Sequence, residues 1–394
     1  MKRRYRPFLH TLVLATILAG LPLPSGGRPA RPAAAGAAAA AAPAAPPDGA
    51  AQEPRPEEPH APPAAETPDF PARLREIYER RAQRFLTGWE GPPLEEDFLL
   101  ERKTARWALQ HEEGKYRYVK AWAEARGVRF VHAQTKIWVK ELKRTEDRAR
   151  FYVAQALELG YQYPGEEAVN RFGVGSRHIV ELHRGADGRW LIGLEWYSDP
   201  LGDETEVPAE LPRPRASGPQ GAPHKPVAAL ARAYDRRSAV EYADTFCGLA
   251  AGCGNEHKYN PKFRNYMGEG GDCANFVSQA LRYGGKLPMP LFTRADGLIG
   301  HLRYSGRGDL VARGDFATVW RIAAGKPEGF RSFLRPGDVV GYEEKGKMTH
   351  VALITGFDSR GYPVANSHTA DRYHVPFDLG WDRKTIYWFV ALRD

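Results

Sequence analysis

Motifs for metal and nucleic-acid binding are missing from this chain. It contains no Cys-x-x-Cys, no His-Glu-x-x-His and no calcium-loop pattern, so nothing in it calls for a metal, and no cofactor is expected. After Leu23 no apolar run approaches the roughly 20 residues that a membrane-spanning helix needs. Net charge is +8, with a sequence pI near 9.3. The basic residues are nevertheless spread along the chain, and no nucleic-acid motif accompanies them, so a nucleic-acid partner is not expected. An anionic wall or membrane surface suits the charge better, and a solubilising surface with no specific partner is its commonest explanation. Cysteine is scarce, with three residues in all. Cys247 and Cys253 are close enough in sequence to pair in an oxidising compartment, which leaves Cys273 as the odd thiol. A Cys247–Cys273 bridge is the rival pairing, and it would silence that thiol.

The first residues point to such a compartment. Lys2, Arg3, Arg4 and Arg6 precede an apolar stretch from Phe8 to Leu23, followed by alanine-rich sequence with many Ala-x-Ala sites. This is the layout of a secretory signal peptide over residues 1–27, with an uncleaved anchor as the alternative. No cysteine lies near the end of the apolar stretch, which argues against a lipoprotein. The expected location is secreted or associated with the cell envelope. Residues 28–67, mostly Ala, Pro and Gly, have too little apolar bulk to offset ordering entropy and read as a disordered tether.

Two α+β domains are expected beyond it, at 68–198 and 227–394, joined by a Pro-rich linker at 199–226. In the first, Leu74, Ile77, Tyr78, Arg81 and Phe85 mark one helix face. Asp97 is a candidate cap for a second helix running through Leu100 and Trp107 towards Trp122. Strands are expected from Val128 to Leu142, Ala149 to Tyr161, Ser176 to His183 and Trp190 to Tyr197, with a hairpin turn at Ala186-Asp187-Gly188. Helices followed by antiparallel strands loosely resemble the cone-shaped fold of nuclear transport factor two. The aromatics Trp107, Trp122, Trp138, Trp190 and Trp196 read mainly as core, and His132, His178 and His183 as structural.

The chemistry gathers in the second domain. Gly271-Asp272-Cys273-Ala274-Asn275-Phe276-Val277 delivers a cysteine onto the first turn of a buried helix, with Asp272 as the expected N-cap. Phe276, Val277 and Ala280 share the cysteine's face. The helix start favours thiolate over thiol, which would lower the pKa of Cys273. A small buried core cysteine is the bland alternative. Downstream, Arg335 to Tyr342 reads as a turn and a strand. Thr349-His350-Val351-Ala352-Leu353-Ile354-Thr355-Gly356 is a strand apolar on both faces, with His350 at its mouth. Tyr362 to His368 is a further strand on which Asn366 and His368 share one face. The order is a nucleophile, a base and a group that orients the base.

These four motifs, in this order over about residues 228–394, resemble the putative amidase domain of exported bacterial proteins. That family is similar to the CHAP and NlpC-type cell-wall peptidases with a papain-like fold. The resemblance implies Cys273 as nucleophile, His350 as general base and His368 as orienting residue, with Asn366 as the alternative. It implies amide hydrolysis through a thioester, the oxyanion lying near the backbone N–H of Cys273, and leaves the substrate open. The signal peptide together with the Cys273, His350 and His368 order makes a peptidoglycan stem peptide or a similar amide the expected one. Asp272 and Asn275 are supporting candidates; Gln279 falls off the Cys273 face. Two alternatives remain: an acyl-transferring cross-linking enzyme, and a non-catalytic wall-binding scaffold with a degenerate hydrolase fold.

Overall fold

The computed structural model describes residues 68–87, 93–201, 207, 234–267, 269 and 271–394. The expected signal peptide and tether, and most of the Pro-rich linker, lie outside the described residues. Pro71–Asp394 forms one compact unit.

Helix α1 (Phe70–Gln83) buries Leu74, Ile77, Tyr78 and Arg81, the face that its 3.6-residue spacing marks. Asp97 ends a short 3-10 turn rather than capping the next helix, and its carboxylate instead takes Arg73 and Arg80. Helix α2 (Lys103–Arg126) then packs over strands β1 (Arg129–Arg144), β2 (Arg148–Gln162), β3 (Asn170–Arg184) and β4 (Trp190–Ser198), all antiparallel.

The second half adds helix α3 (Arg236–Thr245), whose Asp235 cap accepts from the Ser238 amide. Helix α4 (Cys273–Gln279) runs on into a π turn at Ala280–Gly284. Helix α5 (Ala295–Tyr304), strand β5 (Gly308–Gly314) and helix α6 (Phe316–Ala324) follow. The chain closes with strands β6 (Val339–Glu344), β7 (Lys347–Phe357), β8 (Pro363–Ser367), β9 (Asp371–Pro376) and β10 (Ile386–Leu392).

The two halves share one ten-stranded sheet, in the order β1-β2-β3-β9-β8-β7-β6-β10-β5, with β4 also on β3. The separate N-terminal domain expected from the Pro-rich segment is therefore not what the strands build. The Gly173-Val174-Gly175 stretch of β3 pairs with Tyr373, Arg372 and Asp371 of β9. Glycine is required there by a close crossing. A Cβ on Gly173 would lie 1.9 Å from the Ala251 carbonyl oxygen, and one on Gly175 would lie 2.7 Å from Leu249. The crossing segment is the loop closed by the Cys247–Cys253 disulfide, which leaves Cys273 free. Asp371 pins it, accepting from the Leu249 amide at 3.0 Å and pairing with Arg177 of β3 at 2.6 Å. Further along the seam, Trp122 and Arg126 of α2 share the Asp378 carboxylate, while Tyr161 and Tyr163 both donate to Asp358.

The sheet of the second half is buried on both sides. One face carries α3, α4 and α5 and a core that includes Cys273, Phe276, Leu298, Val351 and Leu353. The other carries α6 and a core of Phe330, Tyr342, Ala352, Ile354, Phe377, Trp381 and Phe389. Among the described residues no helix is long and apolar enough to cross a membrane.

Candidate active site

Cys273 opens α4, and its thiol lies at β7. The backbone amides of Val351, Ala274 and Cys273 itself favour the thiolate, but burial outweighs them and pushes the thiol above its ordinary pKa. The helix start therefore does not produce the lowered value that the sequence suggests. Desolvation by burial is the larger effect.

Asp272 does not cap α4 with its side chain. Its carboxylate turns to the preceding loop and to β8. Oδ1 accepts from the Tyr266 amide at 3.0 Å and from Asn275 Nδ2 at 2.8 Å, and Oδ2 lies 2.7 Å from His368 Nδ1. Its own amide donates to Thr369 Oγ1 at 2.6 Å. Gly271 makes this approach possible: its φ is +126°, in the region that favours glycine. Asn275 braces the same loop by donating also to the Arg264 carbonyl.

His368 is held on every side. Phe276, one helical turn beyond Cys273, stacks on its ring with centroids 4.0 Å apart, and Tyr259 meets it edge-on at 4.6 Å. Its Nε2 lies 2.5 Å from the Phe246 carbonyl, at the start of the disulfide loop. Both ring nitrogens thus face oxygen atoms, Asp272 Oδ2 on one side and the Phe246 carbonyl on the other. Its stack on Phe276, which packs in the same core as Cys273, places this histidine on Cys273's side of the sheet.

His350 faces the other way. Successive residues of a strand point to opposite faces. Val351 and Leu353 pack with Cys273, whereas Ala352 and Ile354 belong to the opposite core. His350 pairs with Tyr342 and lies against Tyr342 and Trp381, with ring centroids 5.6 and 5.4 Å away. Burial, and next the charge of Arg372, push its pKa down to about 3. The imidazole is neutral and screened from Cys273 by the strand that carries it, so the expected Cys273–His350 dyad is not assembled. Asn366 is committed to structure, accepting from Thr355 Oγ1 and the His374 amide and donating to Asp244. Gln279 accepts from Tyr242 Oη, away from the thiol.

One ligand-type cluster escaped sequence spacing. His111, Glu112 and Asp199 converge closely enough to hold a cation. Lys115 takes that role, its Nζ lying 2.9 Å from Glu112 and 3.0 Å from Asp199. Of the five tryptophans read as core, Trp122 is buried, while Trp107 lies exposed under Lys103 and Trp138 packs on His257.

Residues 233–391 match the protein family described as "Putative amidase domain". Among curated proteins, the Bacillus subtilis (strain 168) protein named "Uncharacterized protein YhbB" is 29% identical over 154 residues. The aligned stretch covers 35% of this chain and 42% of that relative, so the chain spans about two-fifths of the relative's length.

Proposed function

We propose that the chain is a cysteine amide hydrolase in which Cys273 is the nucleophile and His368, held by Asp272, is the proton carrier. The observation that carries this reading is the coincidence of a free thiol at the first residue of α4 with a buried imidazole–carboxylate pair on the same face, inside the amidase-matched segment. Sulfur attacks the amide carbonyl as the thiolate, its proton having left to solvent, and the carbonyl oxygen becomes an oxyanion near the backbone amides at the start of α4. His368 then gives its Nε2 proton to the leaving nitrogen as the C–N bond breaks. Neutral His368 takes a proton from the water that hydrolyses the thioester, which regenerates the imidazolium. For this, Nε2 must exchange the Phe246 carbonyl for the substrate. The architecture, a helix-borne cysteine on an antiparallel sheet, suits the papain-like class of such enzymes. The signal-like N-terminus and basic charge favour an exported enzyme acting on a cell-envelope peptide.

The test is release of free amines from purified peptidoglycan or its stem peptides, with fragment masses locating the cut bond. Cys273→Ala should abolish release while leaving the melting curve unchanged, and equal turnover by that variant would refute the proposal. A second reading, a non-catalytic scaffold, is favoured by the closed state of the site: the thiol is buried and both nitrogens of His368 are occupied. Cys273 that resists iodoacetamide at every pH in the folded protein, with no amide cleaved, would select it.

A further inference from the structure

The family match covers residues 233–391, yet the wall around His368 is tied to a residue outside that stretch. Asp371 of β9 is fully buried, and three donors converge on its Oδ2. They are the Leu249 amide at 3.0 Å, Tyr259 Oη at 2.5 Å and Arg177 Nη2 of β3 at 2.6 Å. The same Nη2 also donates to Tyr259 Oη. Arg177, Tyr259 and Asp371 therefore close a triangle in which the phenol hydroxyl accepts from the guanidinium and donates to the carboxylate. Burial holds the Tyr259 pKa well above its ordinary value, so the hydroxyl keeps the proton it donates. The ring of Tyr259 meets His368 edge-on, with centroids 4.6 Å apart. Strand β3 reaches this point because Gly175, two residues before Arg177, pairs with Asp371 where the disulfide loop crosses.

We infer that Arg177, although outside the amidase-matched segment, is a positioning residue of the hydrolytic site: it fixes the Tyr259 ring and, through that ring, the His368 imidazole. The inference rests on the reading of His368 as proton carrier. A buried carboxylate is costly without a compensating charge, and Arg177 supplies one to Asp371. Without the guanidinium, Asp371 is left uncompensated and the Tyr259 hydroxyl is held at one point instead of two. The ring is then free to tilt, and the imidazole loses one of the two aromatic walls that set its plane. A displacement of about 1 Å at a catalytic group can cost about a hundredfold in rate. The N-terminal half thus takes part in the site through this side chain, beyond its strand pairing with the second half.

The test uses the full chain with its disulfide intact and two readouts. In spectra of isotope-labelled histidine, the His368 ring signals are assigned by their loss in His368→Ala. They should shift in Arg177→Met and in Tyr259→Phe. Tyr78→Phe is the control: it takes one hydroxyl from the buried Glu195 carboxylate, between α1 and β4, and should leave them in place. In amide hydrolysis, Arg177→Met should lower kcat about tenfold with KM within about twofold of wild type. The double variant should be no slower than Arg177→Met, because both changes break one chain of contacts. If Arg177→Met does not fold, Tyr259→Phe against Tyr78→Phe still decides. His368 signals unmoved in Arg177→Met, losses that add in the double variant, or an equal loss in Tyr78→Phe would overturn the inference. Shifted signals in a chain that cleaves no amide would sink the hydrolase reading and still support the hold of Arg177 on His368.

Discussion

A neutral histidine buried without a partner for Nε2 makes folding sensitive to acid, and His350 allows the size of that effect to be worked out. Its pKa is about 3 in the folded chain against 6.5 when exposed. The unfolded state therefore binds the proton more readily. The stability that His350 preserves is complete above pH 6.5 and is lost as pH falls towards 3. Each pH unit in that window is worth about 1.4 kcal/mol, so the full loss is about 5 kcal/mol, of which about 3 has gone by pH 4. His350→Phe keeps an aromatic ring between Tyr342 and Trp381 and removes the titrating group. Urea unfolding in low-salt buffer should find the variant within about 1 kcal/mol of wild type at pH 7. At pH 4 the variant should be more stable by about 3 kcal/mol. Because the many carboxylates titrate alike in both proteins, only the difference between the curves matters. Curves that run parallel from pH 7 to pH 4 would contradict the placement of His350 in the second core.

Gly173→Ala would drive a methyl into the Ala251 carbonyl; it should cost more than 2 kcal/mol in urea unfolding, at the upper end of overpacking effects of about 1–3 kcal/mol. Replacing Cys253 with Ser opens the short loop between residues 247 and 253. Loop-closure entropy sets that loss at about 2 kcal/mol, readable as a lower midpoint that reductant no longer changes. Asp272→Asn removes the carboxylate from His368 and should lower kcat at least tenfold while KM changes little; an unaltered kcat would remove the pair from the mechanism. Burial raises the Cys273 thiol, so iodoacetamide labelling of the folded chain should be slow at neutral pH and climb steadily above pH 8.

Much of the fold is written locally. The face Leu74, Ile77, Tyr78 and Arg81 fixes α1, and the turn at Ala186-Asp187-Gly188 joins β3 to β4 where its residue types require. The helix after Asp272 is equally legible, because Phe276, Val277 and Ala280 recur at helical spacing. What the sequence conceals depends on long-range register. Residues 349–356 are apolar on both faces of β7, and such a strand has no alternation to say which side His350 takes. The Asp272–His368 pair joins residues 96 apart, and each has a plausible local role that hides it: Asp272 as a cap, His368 as a strand end. The union of the two halves rests on Gly173 and Gly175, ordinary strand glycines until the disulfide loop crosses them. Nothing local marks Arg372 as buried, and only the sheet order buries it.

The proposed hydrolysis requires that the imidazole serving Cys273 be the one at position 368. Amide-hydrolysis rates of His368→Ala and His350→Phe, measured side by side at pH 7 on variants shown to be folded, test it most directly. Loss of turnover by at least a hundredfold in His368→Ala, with His350→Phe within a few fold of wild type, is the predicted result. An active His368→Ala beside an inactive His350→Phe would contradict it.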